Sequence, residues 1–168
     1  MKVILLAAMS ANGYIAERAD QSSLDWTSKE DTKFFVEKTK EIGALIMGRR
    51  TYETIGRPLP GRLTVVMSRT PADFPSQPDV LEFTTAEPTE ILRKLEERGF
   101  SQVVIAGGAS VYSAFLSLGL VDELYLTIEP VLFGAGIPLA EGFARMNVEL
   151  VGTKQLGNRA VLLHYKKI

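Results

Sequence analysis

Three short motifs combining glycine, hydroxyl and arginine residues each follow an apolar run of the chain. They are Gly48-Arg49-Arg50-Thr51, Ser68-Arg69-Thr70 and Ala106-Gly107-Gly108-Ala109-Ser110. Backbone N–H groups at a helix start attract anions, arginine offers paired donors, and glycine lets the backbone approach a phosphate closely. One such motif alone is more often a tight turn or a solvated surface. Three of them after strands of one domain predict a ligand with several phosphates, such as a nucleotide.

The candidate acid is Asp31, which has Glu30 beside it. Residues 28–31 and residues 27–30 both have the spacing of a capping box, in which the carboxylate only caps the helix. Since a capping box takes one carboxylate, the second is free to face a cleft. The spacing alone leaves a capping role and a catalytic role open for Asp31.

Two arginines, Arg57 and Arg62, flank the rigid turn Pro58-Leu59-Pro60. A guanidinium on a stiff loop is suited to bidentate binding of a carboxylate, and a solubilising surface role is the equal alternative. The one histidine, His164, lies among strand residues near the C-terminus. We expect it to occupy an incidental surface position.

The elements that must position these residues alternate along the chain as apolar runs and amphipathic segments. Strands are predicted at 3–9, 44–47, 63–67, 80–83, 102–105, 123–128, 149–155 and 160–166, and helices at 29–42, 50–55, 88–98 and 110–118. The β-α-β order predicts an α/β fold with a mainly parallel sheet of about eight strands, four flanking helices and antiparallel strands at the C-terminal end. The last two strands are expected to form a hairpin across Gly157-Asn158, and a Pro-rich loop is expected from Pro71 to Pro78. Ligands of such sheets bind at the carboxyl ends of the strands, where the three motifs lie.

Length and composition narrow the classes of function. A chain of 168 residues, 46% hydrophobic and 23% charged, predicts a single domain spanning residues 1–168. The net charge of −1 argues against a nucleic-acid partner. The absence of cysteine excludes disulfides and thiolate sites, one histidine excludes sites needing two imidazoles, and no metal is predicted. The apolar run Val3–Met9 is interpreted as a buried strand, so a soluble cytoplasmic protein without membrane contact is expected.

Four segments resemble the dihydrofolate reductase family. Leu45–Arg62, LIMGRRTYETIGRPLPGR, is similar to the family's central motif, and Trp26 precedes Asp31 by the spacing of the family's active-site tryptophan and acid. Ile105–Gly108 resembles its Gly-Gly segment, which contains a cis peptide, and Leu124–Thr127 resembles the strand whose threonine contacts the acid. The resemblance runs from Lys2 to about Ile128 and implies the dihydrofolate-reductase-like fold.

This resemblance also implies an activity, the NADPH-dependent reduction of 7,8-dihydrofolate to tetrahydrofolate for one-carbon metabolism. Asp31 is implied to bind the pterin and to assist protonation at N5. Thr127 is implied to support Asp31, and Trp26 to hold an ordered water near the substrate. No protein nucleophile or metal is needed, because the cofactor supplies the hydride.

The resemblance further implies which residues bind the two ligands. The implied substrate-binding residues, of which Arg62 pairs with the α-carboxylate of the glutamate tail, are Leu6, Ala7, Phe35, Ile55 and Arg62. The implied NADPH contacts are Ala8, Ile15, Gly48, Arg49, Arg50, Thr51, Ser68, Arg69, Gly107, Gly108 and Ser110. Arg49, Ser68 and Arg69 are expected to select the 2′-phosphate.

Parts of the chain depart from that family's pattern. Leu24 stands where the family usually has methionine in a mobile loop, and the loop from Ile15 to Trp26 is longer than usual. Residues 119–123 and 129–138 are more similar to the reductase domain of riboflavin-biosynthesis enzymes, which acts on a ribosylaminopyrimidine phosphate. A reductase of that type is the second hypothesis, and a non-catalytic nucleotide-binding protein of the same fold is the third. The Gly-Ile-Pro segment after Phe133 resembles relatives that dimerise, which hints at a homodimer.

Overall fold

The computed structural model describes residues 1–71 and 75–168, so part of the Pro-rich loop predicted from Pro71 to Pro78 lies outside the described residues. In chain order the described elements are β1 (Lys2–Ser10), β2 (Tyr14–Ala16), α1 (Lys29–Ile42), β3 (Ala44–Gly48), α2 (Arg49–Ile55), β4 (Leu63–Met67), β5 (Leu81–Thr84), α3 (Pro88–Glu97), β6 (Gln102–Ile105), α4 (Ala109–Ser117), β7 (Glu123–Glu129), β8 (Ile137–Pro138), β9 (Val148–Leu156) and β10 (Ala160–Lys167). Each of the eight predicted strands and four predicted helices is present, with bounds that differ by at most one residue.

One eight-stranded sheet carries the fold, in the order β5-β4-β3-β6-β1-β7-β10-β9. Strand β1 pairs in parallel with β6 and β7, β3 with β4 and β6, and β4 with β5. Strand β10 is antiparallel to both β7 and β9, and it follows β9 through the turn at residues 157–159. The predicted α/β class and the C-terminal hairpin are therefore confirmed.

Strand alternation divides the core between the two faces of this sheet. On β1, the side chains of Val3, Leu5 and Ala7 belong to a core that includes Phe115 of α4 and residues of α3. Leu6 points to the other face, into a core that packs against α1 and α2. Each large side chain buried in this way stabilises the fold by roughly 1.5–3 kcal/mol. The two cores hold the carboxyl ends of the central strands in a fixed register.

A second, two-stranded sheet of β2 and β8 was not predicted from the sequence. Tyr14 pairs with Pro138 and Ala16 pairs with Ile137. A Cβ atom on Gly136 would lie 2.5 Å from the carbonyl oxygen of Ala16, so this close approach requires glycine. Strands of three and two residues are too short to show a period of two, which is why the pattern of the sequence does not reveal them.

Helices begin and end where the sequence places capping residues. Helix α1 begins after Ser28, whose hydroxyl caps it, and ends at Gly43, which has a φ of 83°. Helix α3 has Pro88 at its first position. Among the residues that the structure describes, no helix is long and apolar enough to cross a membrane.

Candidate active site

A cleft of about 1440 Å³ opens at the carboxyl ends of the central parallel strands. Its wall includes Ala8 of β1, Gly48 at the end of β3, Ser68 after β4 and Gly107 after β6. The three glycine, hydroxyl and arginine motifs therefore meet in one place, as the sequence predicted. Of all the residues predicted to act in the site, only Trp26, Thr127 and Arg62 are not part of the cleft wall.

Asp31 lies in the first turn of α1 and lines the cleft. The hydroxyl oxygen of Ser28 accepts a hydrogen bond from the backbone N–H of Asp31 at 3.2 Å, so Ser28 is the helix cap. A capping box would also require a carboxylate of α1 to accept the N–H of Ser28. That N–H instead donates to Glu129 Oε1 at 2.8 Å. The carboxyl group of Asp31 is therefore not used for capping and faces the cleft.

The environment of Asp31 favours its protonated form. The pKa of Asp31 is raised from 3.8 to about 6, chiefly by burial. The negative charge of Glu129 contributes to this rise, and the nearby hydroxyl of Thr127 opposes it. A carboxyl group whose pKa lies near neutrality can both hold and release a proton under physiological conditions.

Thr127 and Trp26 lie outside the wall of the cleft. Thr127 on β7 is 1% exposed, and its Oγ1 has no partner at hydrogen-bond distance among the described residues, although it is close enough to lower the pKa of Asp31. The Trp26 ring packs edge-on against Phe133, with ring centroids 5.1 Å apart. Its Nε1 is buried and also has no partner within residues 1–71 and 75–168. The structure thus brings a buried hydroxyl close to the acid, and it leaves a second buried donor, that of the indole, unpaired.

The two arginines of the Pro-Leu-Pro turn lie in different surroundings. Arg62, predicted to pair with a substrate carboxylate, is 6% exposed and is not part of the wall. Its Nη1 donates to the backbone oxygen of Val36 at 3.5 Å, and its buried Nε has no partner among the described residues. Arg57 is exposed and lines the cleft instead. Arg62 immediately precedes β4, and its guanidinium contacts α1 at Val36, whereas Arg57 lies two residues after the end of α2 and is exposed.

The other half of the cleft has a wall of closely packed glycines. A Cβ atom on Gly108 would lie 3.3 Å from Thr51 Oγ1, and one on Gly48 would lie 3.2 Å from Val111 Cγ2. Gly107 has a φ of 102° and is joined to Gly108 by a cis peptide bond, as the resemblance implied. Because these glycines have no Cβ atom, the backbone is accessible to a ligand here. This surface fits an extended phosphate-containing group.

Hydroxyl and guanidinium groups surround these glycines. Ser68 is 8% exposed, and its Oγ accepts the N–H of Thr70 at 3.2 Å. Arg50 and Arg69 are exposed at the rim, and Arg49 is half-buried with its Nε 3.6 Å from Glu53. The positive charges at this end of the cleft complement an anionic ligand.

The sequence reasoning missed two residues, Tyr112 and Glu129. Tyr112 of α4 lines the cleft, and its hydroxyl donates to the backbone oxygen of Leu6 at 2.7 Å. Burial raises the pKa of the Tyr112 hydroxyl, and the charge of Asp31 adds to this effect. The position of Tyr112, four residues after Gly108 on a helix, could have indicated that it points back toward the glycines. Glu129 could have been found from Thr127, because residues two apart on a strand share a face.

Comparisons with known proteins identify the family of this chain. The model of the family described as dihydrofolate reductase matches residues 2–131. The dihydrofolate reductase of Aedes albopictus is 33% identical over 139 residues, which cover 75% of this chain and 72% of that protein. The uncharacterized protein YwjB of Bacillus subtilis (strain 168) is 30% identical and covers 98% of this chain and 97% of its own length.

Solved structures show the same fold. A putative riboflavin biosynthesis protein from Shewanella sp. PV-4 superposes with a TM-score of 0.83 at 22% identity, covering 100% of this chain and 99% of the other. A dihydrofolate reductase from Enterococcus faecalis, complexed with NADP(H) and RAB-propyl, superposes with a TM-score of 0.70 at 23% identity, covering 99% of this chain and 96% of the other. At these identities the structural likeness establishes the fold alone.

Proposed function

The chain belongs to the dihydrofolate reductase family, and on that premise we propose that it reduces 7,8-dihydrofolate to tetrahydrofolate with NADPH. The observation that carries this proposal is Asp31, a carboxyl group with a pKa of about 6 in the wall of the cleft. Reduction of a pterin C=N bond by hydride transfer requires one proton donor and two aligned rings. A single carboxyl group next to a nucleotide-binding wall meets that requirement.

Asp31 has two tasks in this proposal. Its carboxyl group binds the 2-amino group and N3 of the pterin and assists protonation at N5. Leu6, Phe35 and Ile55 line the cleft with Asp31 and exclude water from the ring. The same apolar surroundings raise the pKa of Asp31, so that a proton is available near neutral pH.

Thr127 and Trp26 complete the proposed catalytic group. The hydroxyl of Thr127 supports Asp31 from β7, and it limits the rise of the pKa of Asp31. Trp26 lies five residues before Asp31, ahead of the start of α1. Its buried indole Nε1 has no partner among the described residues. A donor of this kind is suited to holding a water molecule near the substrate.

The proposed cofactor is NADPH, which when bound supplies the hydride. Gly48, Gly107 and Gly108 form the surface for its diphosphate, because Cβ atoms there would meet neighbouring atoms at 3.2–3.3 Å. Arg49, Ser68 and Arg69 are proposed to contact the 2′-phosphate. The other proposed cofactor contacts lie around the same wall and are Ala8, Ile15, Arg50, Thr51 and Ser110.

A riboflavin-type reductase acting on a ribosylaminopyrimidine phosphate is the second candidate. One observation favours it: Arg57, and not Arg62, lines the cleft. The resemblance to dihydrofolate reductases assigns the glutamate α-carboxylate to Arg62, whereas Arg57 could bind either that carboxylate or a ribose phosphate. The carboxyl group of Asp31 would serve as proton donor in both reactions.

Turnover with defined substrates tests the proposal. Purified protein should oxidise NADPH when dihydrofolate is added and should bind methotrexate, an inhibitor shaped like a pterin. Turnover with the pyrimidine phosphate but not with dihydrofolate would favour the second candidate. Binding of NADPH without turnover of either substrate would indicate a non-catalytic nucleotide-binding protein. In all three cases we propose that residues 1–168 act as one domain on a small molecule.

A further inference from the structure

Glu129 is a buried acidic residue at the end of β7, close to the candidate acid. Its side chain is 3% exposed and shares a face of the sheet with Thr127. Its Oε1 accepts two hydrogen bonds from Ser28, one from the backbone N–H at 2.8 Å and one from the hydroxyl at 2.7 Å. Two donors at short distance on one carboxylate oxygen form a strong, charge-assisted contact.

Ser28 connects Glu129 with Asp31. The Ser28 hydroxyl donates to Glu129, while its oxygen accepts the backbone N–H of Asp31 at 3.2 Å. Glu129 and Ser28 are 101 residues apart in the chain, so this contact attaches the start of α1 to β7. A helix start attached to the sheet by these hydrogen bonds has little freedom to tilt, and the backbone of Asp31 is held with it.

We propose that Glu129 is a positioning residue for the reaction, because it fixes the first turn of α1 through Ser28 and places its negative charge beside Asp31. The inference rests on the proposed function in one respect, namely that Asp31 is the proton donor. Glu129 itself contacts neither ligand, since it is buried and is not part of the cleft wall.

The charge of Glu129 acts in the direction that the reaction needs. It raises the pKa of Asp31, in addition to the larger effect of burial. The other groups that face Asp31 are Thr127 of β7, which lowers the pKa, and Tyr112 of α4, whose hydroxyl donates to Leu6. Glu30, the neighbour of Asp31 on α1, is exposed to solvent. In the described part of the chain, no cation forms an ion pair with Asp31 or Glu129.

The substitution Glu129→Gln tests this inference, because it keeps an acceptor oxygen for Ser28 but removes the charge. Carboxyl-carbon NMR should show that Asp31 titrates at lower pH in the variant, with Asp31→Asn identifying the resonance. With dihydrofolate and NADPH as substrates, kcat declines as the pH rises, and in the Glu129→Gln variant this decline should begin at lower pH. At mildly alkaline pH the rate should fall about threefold, which corresponds to the loss of one partly screened charge.

Glu123→Gln is the matched control. Glu123 lies on the same strand and the same face, six residues and roughly 20 Å from Glu129. The control should leave the titration of Asp31 unchanged. Ser28→Ala separates position from charge, since it breaks the hydroxyl link but keeps the carboxylate. We expect Ser28→Ala to lower kcat about threefold, because the start of α1 is displaced. The pH at which kcat declines should stay the same.

The inference is overturned if Glu129→Gln shifts the titration of Asp31 no more than Glu123→Gln does. If Glu129→Gln does not fold, Ser28→Ala decides, and unchanged kcat and KM would overturn the inference. The NMR titration requires no substrate, so it gives its answer even if dihydrofolate is not turned over. Failure of the proposed function would then be seen separately from failure of this inference.

Discussion

The two ends of β7 carry acidic groups on the same face of the sheet, but they surround these groups with different partners. At the N-terminal end, Glu123 Oε1 lies 3.0 Å from Lys2 Nζ, and its Oε2 lies 3.0 Å from His164 Nε2. At the C-terminal end, Asp31 and Glu129 lie among hydroxyl and amide donors. The ring of His164 also stacks on Tyr125, with centroids 4.1 Å apart. The expectation of an incidental surface position for His164 is therefore wrong, because the pairing of β10 with β7 places His164 directly opposite Tyr125.

The partners, and not burial alone, decide the ionisation of these groups. Burial favours a higher pKa for Glu123, but hydrogen bonds and charges from Lys2 and His164 outweigh it, and the pKa of Glu123 lies below its usual value. Burial also favours a higher pKa for Asp31, where one hydroxyl opposes it and a second carboxylate reinforces it, and the pKa reaches about 6. The sheet thus holds one carboxylate as a structural ion and leaves another able to exchange a proton.

The largest expected effect is on catalysis at the Asp31 end. Asp31→Asn keeps the size of the side chain but removes the exchangeable proton, so kcat at neutral pH should fall on the order of a hundredfold or more. Glu30→Gln, one residue earlier, should change kcat by less than about twofold, because it removes only a solvated charge. Steady-state rates with dihydrofolate measure both. A larger loss at Glu30 would show that the wrong carboxyl group has been identified.

Asp31→Asn should also stabilise the fold at alkaline pH. The folded-state pKa of Asp31, about 6, lies above its unfolded value of 3.8, so its contribution to stability is complete below 3.8 and is lost as the pH rises through 6. At pH 8, Asp31→Asn should therefore unfold with a free energy higher than that of the native chain by about 2–3 kcal/mol. The difference should vanish near pH 3.5. Urea unfolding at both pH values measures it, and a loss of stability at pH 8 would contradict the assigned environment.

The opposite pH dependence is expected at the Glu123 end. Because its folded-state pKa is lowered, its contribution to stability is present above the unfolded value of 4.5 and is lost as the pH falls through the folded value. Glu123→Gln should therefore destabilise the protein by about 1.5–3 kcal/mol at pH 7, the range for a hydrogen bond to a charged group. Near pH 3 the variant and the native chain should converge. Equal destabilisation at both pH values would mean that packing, and not charge, explains the effect.

The two arginines of the Pro-Leu-Pro turn also differ, since Arg62 is buried and Arg57 is exposed in the cleft wall. Arg57→Ala should raise the KM for dihydrofolate about tenfold with little change in kcat, because a charged hydrogen bond to a bound carboxylate is lost. Arg62→Ala should change KM less, since its side chain is buried and Nη1 contacts the backbone of Val36. A larger KM effect at Arg62 would restore the assignment that the family resemblance implied. With the pyrimidine phosphate as substrate, the same pair of variants tests the second candidate.

The sequence by itself determined the eight strands of the main sheet, the four helices and the place of the three glycine, hydroxyl and arginine motifs. Short apolar runs, Gly43 after α1 and Pro88 at the start of α3 act within a few residues, so their effect can be predicted locally. The cleft then followed, because parallel strands bring their carboxyl ends to one edge of a sheet.

Only the tertiary structure decided which carboxylate faces the cleft and which arginine lines it. The spacing at Ser28 allowed Asp31 to be a cap, and that role was excluded by Glu129, which takes the N–H of Ser28 from 101 residues away. The pairing of β2 with β8 and the ion pair between Lys2 and Glu123 also join residues more than a hundred positions apart. Such contacts depend on strand order and register in three dimensions, and no local pattern of residues records them.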